Sequence, residues 1–261
     1  MRLPIYQVDA FADRVFAGNP AAVVPLEVWL PDETLQAIAA ENNLAETAYF
    51  VPTADGFDLR WFTPTVEIPL CGHATLASAF VLMTILTPQR RDVRFGSQSG
   101  PLSVVRKGDL FELDLPARTL EAAPDAAAIA AALGGTPAGV WRSANFNMAL
   151  YESAGEIAAL KPDLRRLAAT ELGCSIVTAR GEAGADFVSR FFGPGVGIDE
   201  DPVTGSAHCT LVPYWAQRLG KSKLVARQIS ARGGTLYCED AGTRTRMAGE
   251  GKLYLEGYIH I

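Results

Sequence analysis

Histidine is scarce, at three in 261 residues, and the four cysteines, Cys71, Cys174, Cys209 and Cys238, form no Cys-x-x-Cys pair. Those spacings argue against a structural zinc site. No metal, nucleotide or flavin motif stands in the chain, so no cofactor is expected. Positive charge is also short. A formal net charge of −6 argues against a nucleic-acid backbone or an anionic membrane as the main partner. The small basic groups, Arg90-Arg91 with Arg94 and Lys221 with Lys223, read as solvated faces. Long apolar runs are missing. The longest, about Ala74 to Leu86, is too short to span a bilayer and carries Thr75, Ser78 and Thr84. The opening Met1-Arg2-Leu3-Pro4-Ile5 has no signal-peptide h-region. A cytoplasmic address is therefore expected, with the cysteines as free thiols.

What remains is an ordinary globular composition, 49% apolar and 20% charged, with no disordered or low-complexity segment. Inside it one motif occurs twice. Glu67-Ile68-Pro69-Leu70-Cys71-Gly72-His73-Ala74 returns, 133 residues later, as Glu200-Asp201-Pro202-Val203-Thr204-Gly205-Ser206-Ala207. The shared form is Glu-x-Pro-x-x-Gly-x-Ala. Other landmarks repeat at similar offsets. Pro31-Asp32 with its apolar stripe matches Pro162-Asp163, and Arg60-Trp61-Phe62 matches Arg190-Phe191-Phe192. Gly100-Pro101-Leu102 matches Gly234-Thr235-Leu236, and Leu172 to Val177 lies where Asn43 to Glu46 and the following strand lie. With only two copies this is an internal duplication and not a solenoid.

Each copy holds several short strands and one apolar helix. Strands are expected at Leu3 to Phe11, Ala21 to Val24, Leu44 to Val51, Phe57 to Phe62, Val93 to Phe95, Leu102 to Arg106 and Leu110 to Leu115. A helix follows Pro31, with Asp32 as its N-cap. The segment 73–86 is apolar on nearly every side and belongs inside a shell of other structure. Its counterpart, 206–219, contains Pro213, which predicts a kink or a distorted first turn; Gly220 is its expected stop. The fold class is thus α+β: two pseudo-symmetric domains, each a curved, barrel-like, mostly antiparallel sheet around a central helix. The expected domains are 1–117 and 118–261, with the C-terminal strand 253–261 able to return to the first.

A helix start offers unpaired N–H groups and the positive end of the macrodipole, and a glycine there admits a close ligand. Two such starts, at Gly72-His73 and Gly205-Ser206, suit a carboxylate facing a common cleft. For one copy alone the plainer reading, a glycine that makes a tight turn before a buried helix, is the stronger. Taken alone, His73 also reads more readily as a core or capping histidine and Glu46 as a helix-end or surface carboxylate, and Glu200-Asp201 can be an acidic pair favouring the dipole. The polar residues after the two glycines differ, however, and packing alone gives no reason for that. Cys71 stands apart from the other cysteines, which read as small buried hydrophobes.

Four strings sharpen these readings: Phe16-Ala17-Gly18-Asn19-Pro20, Asn43-Leu44-Ala45-Glu46-Thr47, Cys71-Gly72-His73-Ala74-Thr75 and Asp201-Pro202-Val203-Thr204-Gly205-Ser206-Ala207-His208. Together, in order and spacing, they resemble the phenazine-biosynthesis isomerase (PhzF-like) family, a relative of the diaminopimelate epimerases. The resemblance covers nearly the whole chain. It implies the duplicated epimerase fold and places a proton-shuttling glutamate at Glu46. It places the active-site histidine, aspartate and serine at His73, Asp201 and Ser206. Substrate contacts are implied at Asn19, Cys71, Gly72, Thr204 and Gly205. Where the epimerases carry two opposed thiols, this chain has Cys71 and Thr204, and a threonine hydroxyl is too weak an acid or base to replace a thiolate.

The expected activity is cofactor-independent isomerisation of a small carboxylate bound between the domains, with Glu46 moving a proton between carbons. Alternatives are a one-thiol epimerase or dehydratase using Cys71, and a silent small-carboxylate-binding protein. The resemblance also implies a homodimer.

Overall fold

The computed structural model describes residues 1–261. The chain divides into two compact units, one formed by Met1–Asp114 with Met247–Ile261 and the other by Leu115–Arg246. The linker boundary thus lies three residues before the 117/118 division expected from the sequence. The return to the first unit begins at Met247, earlier than 253. No helix is long and apolar enough to cross a membrane.

In the first unit β1 (Arg2–Ala10) and β2 (Asn19–Pro25) pair antiparallel, Tyr6 against Val23. Helix α1 (Asp32–Asn42) then crosses to β3 (Glu46–Thr53), which runs parallel to β2 with Ala21 opposite Glu46. β4 (Gly56–Phe62) returns antiparallel to β3 and pairs with the short β5 (Glu67–Ile68). The helical segment follows, as α2 (Gly72–Phe80) and a π-helical continuation at Val81–Leu86. β6 (Asp92–Gly96) lies parallel to β4, and β7 (Leu102–Lys107) and β8 (Leu110–Pro116) extend the antiparallel run. The end of the chain closes against β1, with Arg2 opposite His260 and Ala10 opposite Gly251.

The second unit repeats this order behind an added start. β9 (Glu121–Ala122) and α3 (Ala126–Leu133) precede the antiparallel pair β10 (Gly139–Ser143) and β11 (Phe146–Leu150). Two short helices, α4 (Ala154–Ala159) and α5 (Leu164–Ala168), cross to β12 (Ser175–Arg180), parallel to β11. β13 (Phe187–Gly193) is antiparallel to β12 and pairs with β14 (Ile198–Asp201). Helix α6 (Gly205–Leu219) follows, then β15 (Lys223–Gln228), parallel to β13, β16 (Gly234–Asp240) and the start of the long β17 (Arg244–His260), which returns the chain to the first unit from Met247. Each unit is therefore a barrel-like, mostly antiparallel sheet with one internal apolar helix, in the α+β class read from the sequence.

The buried faces explain the arrangement. Every residue of α2 from Gly72 to Ala79 is buried, so the helix sits among strands on all sides. It packs on β1, β2 and β3. The opposite face of that sheet carries a second apolar layer, in which Leu35, Ile38 and Ala39 of α1 meet Val24, Tyr49 and Phe62. In the second unit α3, α4 and α5 take the outer position, with Ile129, Leu133, Ile157 and Leu167 packed on Val177, Val188 and Phe192. Trp215 of α6 stacks on Phe187 at 5.8 Å, and its Nε1–H donates to Thr178 Oγ1 at 3.0 Å.

Three local features bear on these expectations. Asp32 is the first helical residue of α1 and not its N-cap, which is Pro31; the Asp32 carboxylate instead accepts from Arg60 at 2.9 Å. In the second unit Asp163 does cap, accepting from the Arg166 N–H at 3.1 Å. The segment ending at Leu86 stays helical but widens, and Thr87 N–H reaches back to the Leu82 carbonyl at 2.7 Å. Finally, Pro213 lies within one continuous helix, Gly205–Leu219. Proline removes the N–H that would bond the carbonyl four residues earlier, that of Cys209. The Arg118 backbone N–H takes that carbonyl instead, at 2.9 Å. Gly220 closes the helix at φ 66°, as expected.

Candidate functional site

The two Glu-x-Pro-x-x-Gly-x-Ala loops are held in the same way. Arg60 grips both oxygens of Glu67 at 2.7 Å, and Arg190 grips both oxygens of Glu200 at 2.8 Å. Each guanidinium also lies over an aromatic ring two residues on, Phe62 at 5.1 Å and Phe192 at 4.7 Å. The planar fork matches a carboxylate in a way lysine cannot. The motif glutamates therefore anchor each loop to the strand before it. They are structural, and the Glu200 side chain is committed to this fork.

Beyond the anchors, the sequence-derived residues gather into two groups, one in each unit. In the first unit Asn19 opens β2, Glu46 opens the adjacent parallel strand β3, and Cys71 precedes α2, with Gly72 and His73 as its first residues. All are buried: Asn19 at 0%, His73 at 5%, Cys71 at 6% and Glu46 at 8% exposure. His73 is the centre. Its Nε2 lies 3.0 Å from Glu46 Oε2. The approach is oblique, because neither atom has an aligned hydrogen-bond partner in the fold. On the other side of the ring, Nδ1 is 3.2 Å from Asn19 Nδ2 and 3.5 Å from Cys71 Sγ.

Burial opposes a charge on His73, but a Cys71 thiolate and the Glu46 carboxylate would together hold its pKa well above the ordinary value. Cys71 does not supply that charge at neutral pH. Burial, then Glu46, pushes its own pKa up, so the sulfur is a thiol. The pull on His73 thus rests on Glu46 alone, set against burial. Glu46, Cys71 and His73 each offer a metal-ligand atom within 4.8 Å of the others. The sulfur and the carboxylate approach opposite ring nitrogens, however. Sulfur and carboxylate oxygen also lie within 4.8 Å of each other, so both contacts are off the ring's axis and the three side chains form one compact cluster.

The start of α2 has no regular side-chain cap, although the Cys71 sulfur lies close to the Ala74 N–H as a weak substitute. Its first N–H groups are therefore available to an anion beside His73.

In the second unit Asp201, Thr204, Gly205 and Ser206 form the matching loop. α6 also starts without a side-chain cap. The Thr204 hydroxyl, which might have capped it in another loop, donates to the Asp201 carboxylate. Asp201 and Thr204 are buried, and Ser206 is half-buried. Two residues missed by sequence reasoning fix this loop. Gln228, at the end of β15, donates to the Asp201 carbonyl at 2.7 Å and to Thr204 Oγ1 at 3.1 Å, and accepts from the Thr204 N–H at 2.8 Å. His208 donates Nδ1–H to the Thr204 carbonyl at 2.8 Å, and burial holds its pKa down to about 4. Gln228 is far from the loop in sequence and belongs to no motif; only its pairing partner in the fold reveals it.

Comparison with known proteins agrees with this architecture. The family model described as phenazine biosynthesis-like protein matches residues 8–257. An uncharacterized isomerase of Pseudomonas aeruginosa is 50% identical over 261 residues, covering all of both chains. A crystal structure of a phenazine biosynthesis protein of the PhzF family from Enterococcus faecalis superposes with a TM-score of 0.96 at 45% identity, again over all of both chains. A hydroxyproline epimerase from Agrobacterium vitis matches at a TM-score of 0.64 and 10% identity, over 99% of this chain and 92% of that one, a likeness of fold alone. The chain belongs to the phenazine biosynthesis-like (PhzF) protein family, a family of isomerases built on the fold that epimerases share.

Proposed function

We propose that the protein is a cofactor-independent isomerase that moves a proton between carbons of a small carboxylate. The observation that carries this reading is the buried Glu46 carboxylate, 3.0 Å from His73 Nε2 at the uncapped start of α2. A carboxylate so placed, with a ring nitrogen to steady its charge, suits general-base work on a carbon acid. Glu46 takes a proton from a carbon of the substrate, and the C–H electron pair passes into the substrate's conjugated system. Glu46 then returns the proton at a different carbon, so atoms and charge balance over the turnover. The N–H groups at Gly72 hold the substrate carboxylate, and His73 donates to developing negative charge. In the second unit Thr204 and Gly205 offer a further uncapped helix start, with Asp201 and Ser206 beside it.

Incubating the protein in heavy water with a panel of small amino and hydroxy acids that includes unsaturated members, followed by mass spectrometry, identifies the substrate by deuterium uptake at carbon. Glu46→Gln should abolish that uptake. Exchange at the wild-type rate in Glu46→Gln rejects the assignment.

A second reading makes Cys71 the base of a one-thiol epimerase or dehydratase, and its 3.5 Å contact with His73 Nδ1 favours it. The raised thiol pKa weighs against it, since little thiolate exists at neutral pH. Cys71→Ser separates the two, because exchange survives that change if Glu46 is the base.

A further inference from the structure

Asn19 is completely buried, and its side-chain nitrogen lies 3.2 Å from His73 Nδ1. An amide nitrogen carries only donors, so the ring nitrogen facing it must bring a lone pair. Cys71 Sγ, 3.5 Å from the same Nδ1, is a second donor there. We propose that Asn19 is a positioning residue that, with the Cys71 thiol, fixes His73 as the neutral Nε2–H tautomer, so that Nε2, 3.0 Å from the Glu46 carboxylate, carries the ring's one proton and is not a competing base. The meaning of this lock in turnover rests on the role proposed for Glu46; the lock itself does not.

The placement of Asn19 is built by backbone. Gly18 sits at φ 65°, and a Cβ there would run into the Ala10 carbonyl oxygen. Asp9 accepts from the Phe16 N–H at 2.8 Å and ties down the same turn. Asn19 then enters β2 opposite Ala10, two residues before Ala21, which pairs with Glu46. Donor, ring and carboxylate are thus indexed to one another by two strand pairings and one helix start. With the opposite tautomer, His73 would offer a bare Nε2 to the carboxylate, lone pair against lone pair, and an N–H to the amide N–H.

The chain supplies its own control. His208 Nδ1 faces the Thr204 carbonyl at 2.8 Å, and a carbonyl only accepts, so His208 is the Nδ1–H tautomer. The third histidine, His260, is exposed. Intact protein labelled with ¹⁵N-histidine and read by long-range ¹H–¹⁵N correlation at neutral pH distinguishes all three, with His73→Gln and His208→Gln assigning the rings. The expected spectrum has His73 protonated at Nε2 only and His208 at Nδ1 only. Asn19→Asp, which puts an acceptor against Nδ1, should shift His73 to an Nδ1-protonated form and leave the His208 pattern unchanged.

Wild-type His73 protonated at Nδ1, or at both nitrogens, overturns the proposal, whatever happens to Asn19→Asp. So does a folded Asn19→Asp protein whose His73 remains Nε2–H. None of these readouts depends on a substrate. A failure of Glu46→Gln to abolish exchange is therefore a separate result from a failure of the tautomer lock.

Discussion

Cys174, the residue before β12, holds in the second unit the place that Glu46 holds at the start of β3 in the first. The equivalence follows from register. Arg60 and Arg190 make the same fork to their loops, Tyr49 lies opposite Arg60, and Val177 lies opposite Arg190. Counting three residues back along each strand reaches Glu46 and Cys174. Across the duplication the carboxylate corresponds to a buried thiol, Cys71 to Thr204, and His73 to Ser206. The helix-start hardware is kept in both copies, while the titrating pair is kept in one.

That asymmetry gives a contrast between two substitutions. Glu46→Gln should lower heavy-water exchange by about 10²–10⁴-fold, the range for losing a general base. Cys174→Ser should leave exchange at the wild-type rate, because the new hydroxyl can accept from the Gly195 and Val196 N–H groups that approach the sulfur and takes no part in proton transfer. Equal loss of exchange in both variants would contradict the division of labour.

The anchor of the first loop is testable through its two acids. Arg60 is shared between Glu67, whose side chain is 21% exposed, and Asp32, at 74%. Arg60→Lys breaks the fork and should destabilise by about 1–2 kcal/mol. Asp32→Asn should leave the unfolding midpoint unchanged, because an exposed pair contributes little. Denaturant titration of the two variants side by side decides which acid matters.

Gln228 predicts a larger cost. Gln228→Leu removes the partners of the Thr204 N–H and the Asp201 carbonyl at a buried loop. Leaving two such groups unsatisfied costs roughly 2–5 kcal/mol. Chemical denaturation measures the stability, and exchange in the folded variant reports whether the loop has lost its geometry.

His208 sets a pH dependence of stability. Its pKa is about 4 in the fold, against 6.5 ordinarily. Between those values the unfolded chain binds the proton and the folded chain does not, so stability falls as pH drops from about 6.5 towards 4. Above that window the neutral ring carries no penalty. The full shift corresponds to about 3 kcal/mol at most. Urea unfolding near pH 7.5 and near pH 4.5 should show a loss in wild type that is smaller in His208→Gln.

Much of the fold was legible because the duplication leaves landmarks that survive divergence: Arg60 and Arg190, Pro69 and Pro202, Gly72 and Gly205. Each has a backbone or charge reason to persist, and the strands fell where alternation and turns placed them. The first-unit cluster was legible through its loop motifs, and the fold does gather Asn19, Glu46, Cys71 and His73. Residues whose partners are distant in sequence were not legible. Gln228 has no local signature, and the capping roles of Asp32 and Asp163 diverge because one has Arg60 within reach. The repeat aligned Leu172 to Val177 with Asn43 to Glu46 only as a block. Strand register is what resolves the counterpart of Glu46 to a single residue, and a one-residue slip would put it on the other face. Pro213 predicted a disturbance of α6, but whether the freed Cys209 carbonyl finds a donor depends on Arg118, nearly a hundred residues earlier.

The pairing of β1 with the last strand has a consequence for synthesis. Arg2 through Ala10 wait for Gly251 through His260 before their outer edge is hydrogen-bonded. The second unit is contiguous, from Leu115 to Arg246, and all of it leaves the ribosome before that strand does. The order of completion is therefore the reverse of the order along the chain: the later unit can finish first, while the unit bearing Glu46 and His73 keeps an open sheet edge until residues 251–260 arrive. A nascent chain that ends at Arg246 should hold a protease-resistant second unit beside a first unit that is cut.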